Sequence, residues 1–311
     1  MSKHLSVMPS QAINLLEIKP NGIYVDGTLG RAGHSKLILD KLDNGKLYCF
    51  DLDAEAIEES KEALKSYDNV IFIHDNFANM NKYVDKVDGI LLDLGVSSPQ
   101  FDEAERGFSY RFDGPLDMRM DKENKLSAYE VVNNYPKEEL EKVLWEYGEE
   151  KFTRRIVEKI IENRPIETTF ELVDVIKSAL PIKVLSKKGH PAKQTFQAIR
   201  IEVNKELDSL KKFLNTFDEI LNEDGCVVII TFHSLEDKLV KGKFKQLSTV
   251  EDDLSIPLRP EEVKKANYRL LNHGDKADEK ELSENHRAKS AIIRGIKKTN
   301  GKDCKNKKKK A

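Results

Sequence analysis

Short apolar runs alternate with stretches of helical spacing over the first hundred residues, which is the pattern of a parallel sheet covered by helices. GIYVDGTLG (22–30) predicts a strand running into a glycine turn, and residues 34–42 then repeat apolar side chains at the spacing of a helix. KLYCFDLD (46–53) predicts the second strand, residues 54–66 the second helix, VIFIHDNF (70–77) the third strand and VDGILLDLG (87–95) the fourth. A right-handed, doubly wound α/β fold follows.

The rhythm then stops. From 102 to 206 the chain is charged and helical, with no further run of strand formers. A helix over 210–221 and a turn over 222–225 precede GCVVIITFHS (225–234), which resumes the strand chemistry. SAIIRGIKK (290–298) is short and β-rich, and is expected to close the sheet as an edge strand. The expected organisation is a core of 1–101 and 207–296, an inserted all-helical module over 102–206, and a disordered polybasic tail over 297–311.

Composition narrows the class. The 311 residues are 34% charged, above the usual ~25%, while apolar residues with glycine reach about 44%, which excludes disorder throughout. No run approaches the ~20 apolar residues of a membrane span, and MSKHLSVMPSQ lacks the order of a signal peptide. A cytoplasmic protein is expected. Cys49, Cys226 and Cys304 are scattered, without the paired spacing of a zinc site or disulfide framework, and the histidines form no ligand cluster, so no metal is expected. The net charge of -2 hides an asymmetry: residues 297–311 carry eight Lys and one Asp, so the tail is strongly cationic and the remainder acidic. A cationic tail is either solubilising or attracted to nucleic acid.

Candidate chemistry gathers at the strand ends. Asp26-Gly27-Thr28-Leu29-Gly30-Arg31-Ala32-Gly33-His34 has G-x-x-G-x-x-G spacing rather than the dinucleotide fingerprint, which counts against a nicotinamide or flavin reading. Asp51 and Asp53 share a face of the second strand. Asp53 is expected to cap the helix that follows, leaving Asp51 to accept hydrogen bonds from a ribose diol. His74-Asp75-Asn76-Phe77 offers polar atoms and a ring to flank an adenine, with a core position the alternative for Phe77. Asp93-Leu94-Gly95-Val96-Ser97-Ser98-Pro99-Gln100 ends the fourth strand in a small polar turn able to hold hydroxyls and carbonyls around an exocyclic amine. Successive strand ends therefore point to one crevice suited to an adenosine-containing ligand.

YVDGTLGRAGHS, GILLDLGVSSPQFDEAERGFSYRFDGPLDMRMD, YGEEKFTRRI, HPAKQTFQAIRIEVNKEL and TFHSLEDKLVK resemble the RsmH (MraW) family of small-subunit ribosomal RNA cytosine-N4 methyltransferases, from His4 to about Gly295. The resemblance implies a class I S-adenosylmethionine-dependent methyltransferase fold with an inserted helical domain. It also implies N4-methylation of a cytidine in the decoding region of 16S ribosomal RNA, with an assembled or assembling 30S particle as the partner. Carried over by position, the family's cofactor contacts fall on Ala32, Gly33, His34, Asp51, Phe77, Asp93 and Gln100. Ala32 departs from a glycine-richer pattern, and its Cβ is harmless at negative φ and costly at positive φ.

Methyl transfer to nitrogen is an in-line displacement that asks the protein to align groups and exclude water, without a metal. Ser97 and Ser98 are expected to orient the amine. Methylation at cytosine C5 would need a thiolate, and no cysteine stands beside the SSPQ turn. His233 follows the fifth strand and is expected either to shape the base pocket or to lie beside a helix cap formed by Ser234, with Asp237 completing a capping box. Basic and aromatic residues cluster at Arg106, Phe108, Tyr110, Arg111 and Phe112, at Arg154 and Arg155, and at Lys187, Lys188, His190, Lys193, Phe196 and Arg200. Phe196, Ile199 and Val203 have helical spacing and are expected in the core, leaving the charges to contact RNA. The competing readings are a nicotinamide-dependent oxidoreductase and a ribosome-assembly factor without chemistry.

Overall fold

A computed structural model describes residues 6–250 and 266–299. The chain forms α1 (Pro9–Leu16), β1 (Ile23–Asp26), α2 (Gly33–Leu39), β2 (Lys46–Asp51), α3 (Ala54–Ala63), β3 (Val70–His74) and β4 (Val87–Asp93). Seven helices follow: α4 (Ser98–Asp102), α5 (Ala128–Asn134), α6 (Lys137–Gly148), α7 (Thr153–Glu162), α8 (Thr169–Ala179), α9 (Ile182–Leu185) and α10 (Lys193–Asn204). The rest comprises α11 (Glu206–Ile220), β5 (Leu221–Thr231), α12 (Ser234–Ser248), β6 (Tyr268–Leu270), β7 (Asp275–Lys276), α13 (Glu279–Glu284) and β8 (Ile292–Lys298). Among the described residues no helix is long and apolar enough to cross a membrane.

The chain divides into two compact units, one holding the described residues up to Gly95 and from Ser209 onward, the other Val96–Asp208. In the first, the strands lie in the order β3-β2-β1-β4-β5-β8-β6, with β7 also paired to β8. The first five run parallel, and β8 is antiparallel to β5. β5 shows why both faces must be covered: Val227 and Ile229 enter one apolar cluster with α11, while Val228 and Ile230 enter the opposite one with α1 and α2. The order reverses between β1 and β4, the switch point at which sheets of this kind open a crevice at their carboxyl edge.

Several expectations need correction. The last long strand is not an edge: β8 lies between β5 and β6, and its central residues are buried. Lys297 and Lys298 belong to that strand rather than to a tail, and residues 300–311 lie outside the described part. The turn foreseen at 222–225 survives as an irregularity at the start of β5. Leu221 pairs with Val87 and Cys226 with Gly89, and Asp224 takes φ 60°.

The second unit is wider than the 102–206 module foreseen, because Val96 and Phe101 pack onto its helical core. Phe196, Ile199 and Val203 sit in that core, as their spacing required. Two arginines expected to contact RNA are instead internal. Arg106 is buried, donates to the carbonyls of Arg119 (3.1 Å) and Met120 (3.2 Å), and lies over the Phe108 ring. Arg200 makes a bidentate pair with Glu206 at 2.8 and 2.9 Å. Arg111, Arg154, Arg155, Lys187, Lys188 and Lys193 remain exposed. Arg106→Ala should therefore cost about 2–4 kcal/mol in urea unfolding by orphaning two carbonyls, whereas Arg154→Ala should stay within about 0.5 kcal/mol.

Candidate active site

The turn after β1 is shaped by what must pass close to it. A Cβ on Gly27 would lie 2.3 Å from Leu92 Cδ2 and 3.0 Å from Phe77 Cβ, so only glycine lets β1, β4 and the segment after β3 converge here. Gly30 turns at φ 51°. Ala32 then takes φ 60° as it opens α2, the strained case for a residue with a Cβ. Its methyl is buried and joins the core around α1 and α2.

Asp51 latches this turn to the second strand. One carboxylate oxygen accepts from the Gly30 amide at 2.8 Å and the other from the Asp53 amide at 2.9 Å. Burial pushes its pKa up to about 6 despite those two hydrogen bonds. Asp53 caps α3 by accepting from the Glu55 amide, as expected. Asp26, which opens the glycine motif, is buried and accepts from the Ser35 hydroxyl (2.6 Å) and the Thr28 amide (3.1 Å). Desolvation also raises it to about 6.

At the end of β4 the Asp93 amide donates to the Thr28 hydroxyl at 2.6 Å, which fixes the strand against the β1 turn. Its side chain has Oδ2 3.6 Å from His34 Nδ1, while Oδ1 is buried with no hydrogen-bond partner. Burial first, then the charges of Asp26, Glu236 and Glu281, hold this carboxyl well above the usual range. His34 Nε2 donates to the Val7 carbonyl at 2.9 Å, so Nδ1 presents a lone pair toward Asp93. Burial lowers the His34 pKa to about 4, against the opposing pull of the Val7 carbonyl. Both partners are thus driven to their neutral forms.

The segment before α1 forms part of this site, and neither a motif nor a periodicity announced it. Val7 supplies the carbonyl that sets the His34 tautomer, and Ser6 packs so closely that a Cβ on Gly33 would fall 1.9 Å from its hydroxyl. The Met8 amide donates to Glu281 Oε1 at 2.5 Å, anchoring the segment on α13. Phe77 is half-buried at the start of a 3-10 helix and meets Phe213 edge-to-face at 5.9 Å. Asn76 caps that helix and holds the Ser209 hydroxyl at 2.8 Å.

Ala32, Gly33, His34, Asp51, Phe77 and Asp93 are thus gathered at the carboxyl edges of β1 to β4. Among the described residues no Lys or Arg is hydrogen-bonded to Asp26, Asp51 or Asp93, and the unpartnered Asp93 oxygen is an acceptor awaiting a donor or a cation. A ligand with a positive charge and a ribose diol fits that chemistry.

The remaining site residues are placed otherwise. Ser97 and Gln100 belong to the second unit. Ser97 is the N-cap of α4, its amide donating to Gln100 Oε1 at 3.1 Å, and Gln100 is buried. The side chain of Ser98 lies outside what the structure describes. His233, not Ser234, caps α12, and Glu236 rather than Asp237 completes the capping box. Cys49 and Cys226 are buried, with Cys49 raised well above the ordinary thiol range and Cys226 to about 12, so neither offers a ready thiolate; Cys304 lies outside the described residues.

Residues 1–299 match the model of the MraW methylase family. The chain belongs to the MraW methylase family. It is 51% identical over 307 residues to the ribosomal RNA small subunit methyltransferase H of Streptococcus pyogenes serotype M4 (strain MGAS10750), covering 95% of this chain and 97% of that one. The corresponding protein of Streptococcus dysgalactiae subsp. equisimilis is 50% identical with the same coverage. Among solved structures, an rRNA methylase from Streptococcus thermophilus covers 96% of this chain and 99% of its own, at 13% identity and a TM-score of 0.39, a distance at which the likeness adds nothing to the sequence match. The doubly wound sheet described above is thus the methyltransferase core of a MraW family member.

Two substitutions test the site. Ala32→Val should lower stability by roughly 2–4 kcal/mol by adding a branched side chain at positive φ in a packed position, while Ala32→Gly should stay within about 1 kcal/mol. Asp93→Asn should leave the unliganded protein within about 1 kcal/mol of wild type, because it replaces a buried acid that already holds its proton, yet it should abolish the thermal shift produced by S-adenosylmethionine.

Proposed function

We propose that this chain transfers the methyl group of S-adenosylmethionine to the exocyclic N4 amine of a cytidine in the decoding region of 16S ribosomal RNA. The observation that carries the reading is 51% identity across 95% of the chain to a relative named as a ribosomal RNA small subunit methyltransferase. The crevice agrees with it: Asp51 offers carboxylate oxygens to the ribose diol, and the unpartnered Asp93 oxygen receives positive charge. Ala32, Gly33 and His34 border the ligand from the β1 turn and Phe77 packs beside it; the family resemblance adds Gln100, which belongs to the second unit. When bound, the donor supplies an electrophilic methyl on a sulfonium.

The protein's own task is then to bind, orient and exclude water. Cytosine N4 is a weak nucleophile because its lone pair is delocalised into the ring. Acceptors around its protons favour the pyramidal nitrogen that attacks, and we assign that role to Ser97 and Ser98. The second unit serves as the RNA-recognition module, with the exposed Arg111, Arg154, Arg155, Lys187, Lys188 and Lys193 contacting phosphate. His233 shapes the wall of the base pocket while capping α12. Outside the basic tail the chain is acidic, which favours an assembled small subunit over naked RNA as substrate, and such a substrate places the enzyme in the cytoplasm.

Mass-spectrometric mapping of nucleosides tests this directly. Unmodified small subunits incubated with the protein and methyl donor should gain one N4-methylcytidine, and naked RNA should gain markedly less at matched salt. A methyl on cytosine C5, or equal labelling of both substrates, would refute the corresponding part of the reading.

A further inference from the structure

Beyond the donor crevice, an open groove of about 450 Å³ lies where β5 passes into α12. Phe232, His233, Lys238, Lys241, Ser290 and Ile292 line it. Lys238 and Lys241 are exposed and three positions apart on α12, so they share one face of the helix. Neither has an acidic partner among the described residues.

The groove's one acidic lining residue, Asp237, and the neighbouring Glu236 are already engaged in other contacts. Asp237 makes a bidentate pair with Arg294 at 2.7 and 3.0 Å. Glu236 is buried and accepts from the Phe232 amide at 2.8 Å and the His233 amide at 3.3 Å. The charge presented to an incoming ligand is therefore that of the lysines.

The position of the groove identifies what it would hold. Its Phe232 ring packs over Gly95, where an added Cβ would sit 3.2 Å away. Leu94 donates its amide to the Ile230 carbonyl at 3.0 Å, and Asp93 is in register with Ile230. The groove thus opens on the strand next to the one that carries Asp93, and neighbouring strands lie only about 5 Å apart. A nucleotide flanking a base held at the methyl donor lies within reach of this surface. An apolar ring, hydroxyls and a pair of unpaired ammonium groups match the base, sugar and phosphate of one nucleotide.

We propose that this groove binds a nucleotide flanking the target cytidine, with Phe232 against its base and Lys238 and Lys241 on its phosphate backbone. The assignment rests on the RNA methyltransferase reading above, and the test separates the two. Lys238→Gln/Lys241→Gln is compared with Lys61→Gln/Lys65→Gln, which removes the same charge from the last turn of α3 and the residues just after it, beside β3 at the opposite edge of the sheet, where Lys61 pairs with Glu58 and Lys65 with Glu62.

With unmodified small subunits as substrate, the groove variant should raise KM roughly tenfold. It should also flatten the dependence of log KM on log salt by about 1.5, the contribution of two phosphate contacts. Turnover at saturating substrate and the thermal shift given by S-adenosylmethionine should hold. The Lys61 and Lys65 pair should change KM by less than about twofold. Equal shifts from both pairs, or an unchanged KM in the groove variant, would overturn the groove assignment while wild-type methyl transfer stands. Absence of methyl transfer by the wild type would remove the underlying reading, and the groove assignment with it.

Discussion

A carboxyl group buried at the end of a strand, with no cation beside it, must either keep its proton or receive positive charge from elsewhere. Asp93 is in that position, with one oxygen unpartnered and the other facing the lone pair of a neutral His34. Asp26 and Asp51 stand on the neighbouring strand ends with their own pKa values raised to about 6. Around them the structure bends to its limits. Ala32 is held at positive φ, Gly33 admits Ser6 at a distance no Cβ would allow, and Val7 gives up its carbonyl to set the His34 ring. Such costs concentrated in one crevice are what a binding site for a cationic, ribose-bearing molecule requires before its ligand arrives.

Much of this was legible in the sequence because it is local. Strand β1, the glycine turn and α2 are specified within the 17 residues 23–39 by alternation, glycine and helical spacing. The register of parallel strands then brings Asp51, Phe77 and Asp93 to a common edge without any long-range signal. The capping role of Asp53 and the core role of Phe196, Ile199 and Val203 followed from the same short-range rules.

What was not legible depends on distant partners. The contact of Ser6 and Val7 with the glycine turn joins the chain terminus to the site, and Met8 is anchored by Glu281, far along the sequence. Arg106 and Arg200 read as phosphate ligands because a basic side chain near aromatics has the same pattern whether its partners are phosphates or buried carbonyls and carboxylates. β8 read as an edge because its length and composition do not say that β6 and β7 pair with its outer side. His233 capping α12 in place of Ser234 is a shift of one residue, within the ordinary uncertainty of helix ends.

The central claim is that ionisation of these buried carboxyls is coupled to binding of a cationic donor. Calorimetric titration of S-adenosylmethionine, repeated in buffers of different ionisation enthalpy, reads the protons exchanged per ligand bound. Because the folded pKa values of Asp26 and Asp51 are raised to about 6, and that of Asp93 further, these groups hold protons at about pH 5 that the cation must displace. Binding should therefore release protons, and affinity should climb as pH rises from about 5 to about 7. Proton uptake, or no exchange with an affinity flat across that range, would contradict the account.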